Sequence, residues 1–162
     1  MSTSPSSAPL SQRELTLTRV IDASPERVFA AWTQPELLKQ WFTPRPWTTP
    51  VVEVDVRAGG SSFFLMRGPE GQEFPNRGVY LEVVPNRKLV FTDAYVKAWE
   101  PSEKPFMTAV VTFEPTADGK TNYTARVMHA TVADREQHEK MGFHAGWGAA
   151  ADQLEALLAG KR

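Results

Sequence analysis

No cysteine occurs among the 162 residues, which excludes disulfides, thiolate metal sites and a cysteine nucleophile. No charge sign dominates either: 18 Lys and Arg stand against 19 Asp and Glu, scattered rather than blocked, leaving no electrostatic footprint for nucleic acid or an anionic membrane. Long apolar runs are also missing. Nothing approaches the ~18 residues of a membrane-spanning helix, and Met1 to Gln12 places serines and prolines where a signal peptide needs an apolar stretch. These absences point to a soluble, cytoplasmic protein with no nucleic-acid or membrane partner; a monomer or homodimer is expected, though none of these absences bears on which.

What is present is enough for one domain. A chain of this length buries roughly two thirds of the surface its unfolded form exposes, so a hydrophobic core can form without covalent or metal cross-links. Residues 1–13 read as a disordered tail and residues 14–160 as the domain. Leu15, Leu17 and Ile21 recur at even spacing, as in a half-buried strand. Ser24 then offers an N-cap hydroxyl, Pro25 suits the first helical position and Glu26 favours the positive end of the helix dipole, so a short helix is expected over Pro25 to Thr33. Gln34-Pro35-Glu36 repeats the start signal, and Leu37, Leu38, Trp41 and Phe42 give a second helix its apolar face before Pro44 and Pro46 end it.

From Val51 to His129 the chain alternates β-branched and aromatic runs with turn residues, as an antiparallel meander does. Turns are expected at Gly59-Gly60, Pro69-Glu70-Gly71, Pro85-Asn86 and Asp118-Gly119, with one long connection from Val96 to Pro105 that carries Trp99. We expect five strands here, six in all. A helix is then expected without interruption from Val132 to Ala159, stopped by Gly160, its stripe of Phe143, Trp147, Ala150, Leu154, Leu157 and Leu158 facing the sheet. The fold class is therefore α+β: a curved six-stranded antiparallel sheet, two short helices after the first strand, and a long C-terminal helix packed on the concave face.

This order resembles the START-like (SRPBCC) superfamily, the helix-grip fold. The stretches Arg19-Val-Ile-Asp-Ala-Ser-Pro-Glu-Arg-Val-Phe-Ala-Ala-Trp32, Pro35-Glu-Leu-Leu-Lys-Gln-Trp41, Val54-Asp-Val-Arg-Ala-Gly-Gly60 and Met141-Gly-Phe-His-Ala-Gly-Trp147 resemble one branch of it, the homologues of the activator of the ninety-kilodalton heat-shock protein ATPase. The likeness runs from about Glu14 to Gly160. It implies a cavity for a small hydrophobic ligand between sheet and C-terminal helix, since relatives include lipid and hormone carriers, aromatic-polyketide cyclases and chaperone activators. The activator that names the branch also carries a separate N-terminal domain that contacts the chaperone, where this chain has only a short tail. Ligand binding is thus the expected function, with a cyclase- or aldolase-type enzyme and a chaperone-associated stress-response protein as alternatives.

Alternation selects the residues expected to line such a cavity. Leu89 and Phe91 face inward, so Asp93 and Tyr95 follow them, and the inward series Tyr123, Ala125 and Val127 brings His129 with it. An unpaired charge on an apolar face is costly, so Asp93 and His129 need partners, and His144 beside the helical stripe is the expected one. Asp93, Tyr95, His129 and His144 are read as a polar end that orients a ligand, or as acid and base in the enzyme alternative. Phe64, Met66, Met107, Phe143 and Trp147 are candidate walls, and Trp99 a candidate gate at the mouth. Trp32 and Trp41 read as core. His138 and His144 are six apart, about 120° around a helix, so they do not share an ion; no metal and no cofactor is expected. Gly119-Lys120-Thr121 lies in a hairpin turn and Glu114 stands where a phosphate loop needs glycine, while Gly142-Phe-His-Ala-Gly146 has histidine where a hydrolase elbow needs serine. Arg19, Asp55 and Arg57 are expected to form salt bridges between neighbouring strands.

Overall fold

The computed structural model describes residues 8–160. The N-terminal residues 1–7 of the expected tail lie outside the described residues; within the rest of it Leu10–Gln12 form one 3-10 turn. Strand β1 (Glu14–Ile21) leads into α1 (Pro25–Thr33), whose N-cap Ser24 Oγ accepts from Arg27 N at 3.4 Å, and then into α2 (Pro35–Trp41). Both helices open with proline at the first turn, where its missing N–H costs nothing.

The meander comprises β2 (Thr48–Val54), β3 (Ser61–Arg67), β4 (Glu73–Val84), β5 (Lys88–Thr92), β6 (Tyr95–Lys97), β7 (Glu100–Pro101), β8 (Met107–Pro115) and β9 (Thr121–His129). Seven of the nine strands form one antiparallel sheet in the order β1-β9-β8-β5-β4-β3-β2. The expected six strands become seven because the five breaks between Val51 and His129 separate six runs, and each run is long enough to pair on its own. The long connection is not featureless, for β6 and β7 pair with each other as a small separate hairpin.

Alternation along β8 and β9 holds. Ala109, Val111 and Phe113 pair with Val127, Ala125 and Tyr123, and all six are buried on one face. Against that face lie Val28, Ala31 and Trp32 of α1, Leu38 and Trp41 of α2, and the buried stripe of the C-terminal helix.

That C-terminal helix is two helices, not one. Helix α3 (Val132–Lys140) ends at Met141, and α4 (Phe143–Leu158) starts after Gly142, whose φ is 97°. Glycine alone adopts such a backbone without a Cβ penalty, and the turn it makes ends the helical phase of α3. Helix α4 alone, at 1.5 Å per residue, is roughly 24 Å long rather than the full width expected of an unbroken helix. Its stripe is as the periodicity requires: Phe143, Ala151, Leu154 and Leu158 are buried, with Trp147, Ala150 and Leu157 packed against the core.

Polar clamps hold α4 in place. Arg19 on β1 reaches across to Asp152 (2.6 Å) and Glu155 (2.8 Å), and hydrogen bonding to Asp152 is the largest of the influences that raise its pKa. The expected strand-to-strand bridge is therefore a strand-to-helix bridge. Asp55 and Arg57 pair only with each other, at 2.9 Å in the turn after β2. On the other side Gln153 Nε2 donates to Trp41 O and Thr43 O at 2.9 Å each, while its Oε1 accepts from Arg45 N.

Candidate functional site

A cavity of about 380 Å³ opens between these layers. Trp32 of α1 and Trp41 of α2, with Phe42 and Pro44 beyond it, form one wall; Met66, Asn76, Met107 and Tyr123 come from the sheet; Phe143, Gly146, Trp147 and Ala150 of α4 close it. Asp93, Phe106, His138, Met141 and Gly142 complete the rim. Trp32 and Trp41 are 4% and 2% exposed, so these tryptophans are at once core, as expected, and cavity wall. They meet edge to face at 5.0 Å, which fixes the wall they present.

The polar groups around this space are few and differ in their commitments. Trp41 Nε1 is satisfied by Ala31 O at 2.9 Å. Trp32 Nε1 donates to Tyr123 Oη at 3.1 Å, and no acceptor for the phenol's own hydrogen stands among the described hydrogen bonds. Burial pushes the Tyr123 pKa up, so this group remains a neutral O–H donor. Asp93 Oδ1 accepts from Phe106 N (2.8 Å) and Met107 N (3.0 Å). Its partner is the backbone that returns from the β6–β7 excursion, so it pins the base of that hairpin beside the cavity.

His129 is 2% exposed. Its Nδ1 lies 2.8 Å from Arg13 O and its Nε2 lies 2.9 Å from His138 Nδ1. The expected partner, His144, does not reach it: the α4 position after inward-facing Phe143 turns about 100° away, and His144 lies out on the surface with Nε2 3.8 Å from Glu139 Oε2. His138 takes its place because the break at Gly142 lets the last turn of α3 lie over the end of β9. Rings of Phe106 and Phe143 flank His138 at 5.0 and 5.1 Å. Its pKa is lowered to about 4, first by burial and then by the neighbouring His129.

Of the residues singled out in the sequence, Met66, Asp93, Met107, Phe143 and Trp147 line the cavity. Phe64 does not; it stacks on Phe42 with centroids 4.4 Å apart. Phe91 packs behind the wall against Trp32 at 5.7 Å. Tyr95 and Trp99 pack on one another at 5.6 Å in the hairpin; Trp99 is 63% exposed at φ 63°, and neither is among the residues that line the cavity. The quartet Asp93, Tyr95, His129 and His144 is thus not one cluster. Missed by sequence reasoning were Tyr123 as a polar wall and His138; alternation had already turned Tyr123 inward, whereas nothing local marks His138. Among the described residues no group of three or more His, Asp or Glu could hold a metal ion.

Comparison with known proteins places these features in a family. The model described as activator of Hsp90 ATPase homolog 1-like protein matches residues 22–159. A crystal structure of a protein from Nitrosomonas europaea is 44% identical, covering 93% of this chain and 96% of that one, with a TM-score of 0.89. A Mycobacterium smegmatis protein is 28% identical over 93% of each chain, with a TM-score of 0.78. At 20% identity, the solution structure of an AHSA1-like protein from Aeromonas hydrophila shares the fold, covering 91% of this chain and 94% of that one at a TM-score of 0.70. No curated protein matches the chain. The chain belongs to the activator of Hsp90 ATPase homolog 1-like family, a branch of the START-like fold, as its motifs led us to expect.

Proposed function

We propose that this protein binds a small apolar or amphipathic molecule in the cavity between the sheet and α4. The observation that carries this reading is the cavity's make-up: about 380 Å³ with tryptophan, phenylalanine and methionine walls and only four polar residues, Asn76, Asp93, Tyr123 and His138, among its lining. Space of this size and polarity suits a ligand rather than water, since its few polar groups orient a guest while the walls supply contact area. A fold that commonly encloses hydrophobic ligands supports the same reading. Tyr123 gives the site a fixed donor for a ligand carbonyl or ether oxygen.

Gly146 provides the test. It lines the cavity, and a Cβ built on it meets nothing within 4 Å, so a large side chain there points into open space. Gly146→Phe narrows the cavity with its ring and removes a helix-interior glycine, which costs about 1 kcal/mol relative to alanine. The expected outcome is a variant at least as stable as the parent that binds 1-anilinonaphthalene-8-sulfonate and 2-naphthol markedly more weakly. If the parent takes up neither probe, or the variant binds both equally well, the cavity is not the binding site.

A further inference from the structure

We propose that Arg13, His129 and His138 form a directed hydrogen-bond relay that holds His138 in its Nδ1–H tautomer and presents its Nε2 to the cavity as an acceptor, selecting neutral ligands that carry an O–H or N–H donor. This rests on the cavity being a ligand site. The direction of the relay follows from its first member. A backbone carbonyl accepts and never donates, so the 2.8 Å contact between Arg13 O and His129 Nδ1 requires a proton on that nitrogen. In the neutral imidazole, Nε2 of His129 is then an acceptor. The 2.9 Å contact to His138 Nδ1 is satisfied only when His138 donates from Nδ1, which leaves its Nε2 with a lone pair.

Each link is held rather than incidental. Arg13 and His129 exchange two further hydrogen bonds at 2.8 Å, His129 N to Arg13 O and Arg13 Nη1 to His129 O, so the carbonyl that sets the relay is locked beside β9. His129 is 2% exposed, and Phe106 packs on both histidine rings at 5.6 and 5.0 Å. His138 lines the cavity, and no partner for its Nε2 stands among the described hydrogen bonds. The lowering of its pKa to about 4 agrees with the same picture, for the ring stays uncharged at neutral pH and keeps the lone pair. The cavity then carries donor and acceptor together: Tyr123 donates, while His138 and, at the rim, the Asp93 carboxylate accept. A ligand with a phenol, alcohol or amide N–H at one end satisfies His138, whereas an oxygen without hydrogen finds its donor at Tyr123 and leaves the His138 lone pair unpaired. His129 acts as a positioning residue that never touches the ligand.

The relay is read directly by two-bond proton–nitrogen NMR of the unliganded protein at pH 7. Both His129 and His138 should show a protonated Nδ1 and an unprotonated Nε2; a proton on His138 Nε2 overturns the proposal. Titration with 2-naphthol and 2-methoxynaphthalene, alike in shape but differing in the donor, reads the consequence. The parent should bind the naphthol about fivefold or more tightly, the worth of one net hydrogen bond. His138→Leu should bring the two within about twofold by weakening the naphthol alone, a ratio that follows from deleting that one bond. His129→Leu should do likewise and release the His138 tautomer. His129→Gln, whose amide can donate to Arg13 O and accept from His138, should restore both. Equal binding of the two probes by the parent sinks the selectivity and leaves the cavity reading intact; binding of neither sinks both.

Discussion

Trp32 Nε1 donates to Tyr123 Oη across 3.1 Å, joining α1 to β9, the second strand of the sheet order, at the inner wall of the cavity. Both residues are nearly or fully buried, at 4% and 1% exposure, so neither has water as a substitute partner. Tyr123→Phe therefore removes an acceptor and strands a buried indole N–H. The expected loss is about 1–3 kcal/mol in urea denaturation, with Trp32→Phe in the same background costing no further hydrogen bond.

Acid should weaken the fold through His138. Its folded pKa of about 4 lies below its ordinary 6.5, so the unfolded chain binds a proton that the folded one refuses. Above about pH 6.5 the group makes no difference; as pH falls from 6.5 towards 4 stability declines, and below 4 its effect is constant. Since the ring is only partly buried, screening reduces the decline to about 1–2 kcal/mol. Chemical denaturation at a series of pH values checks this, because His138→Gln should lack that portion of the slope.

Gly142→Ala tests the break between α3 and α4. With φ at 97° an alanine is strained, at a cost of about 1–2 kcal/mol. Relief of the strain would drive the backbone towards a continuous helix, and the His129–His138 contact should be disturbed with it. Thermal unfolding gives the cost, and the histidine ring resonances report the displacement.

Arg19→Met should loosen the hold of β1 on α4. It removes contacts of 2.6 Å and 2.8 Å to two carboxylates while retaining the aliphatic stem. These groups are partly exposed, so the expected loss is about 0.5–1.5 kcal/mol and shrinks at high salt. Denaturation midpoints in low and in 1 M salt, an ionic strength at which the screening length is about 3 Å, should differ less for the variant than for the parent.

Much of the architecture was legible because it is coded by local periods and end signals. Ser24-Pro25-Glu26 combines an N-cap, a first-turn proline and an acidic residue at the helix start, and α1 begins there; the alternation through β8 and β9 placed Tyr123, Ala125, Val127 and His129 on one buried face. The apolar stripe of α4 was equally plain. The interruption before it was not, since a glycine inside a helical pattern is tolerated at modest cost, and only packing decides whether Gly142 continues the helix or turns it.

The sequence by itself determined which faces are apolar, where the first two helices start, and that a histidine would be buried at the end of β9. Tertiary structure alone decided what that histidine meets and which side chains enclose the cavity. Arg13 is 116 residues from His129, Trp32 is 91 from Tyr123, and both pairs exist only because the sheet order sets β9 between β1 and β8. Periodicity tells a side chain which way to face; the identity of its neighbour depends on how distant segments dock, a property of the packed whole that no local pattern contains.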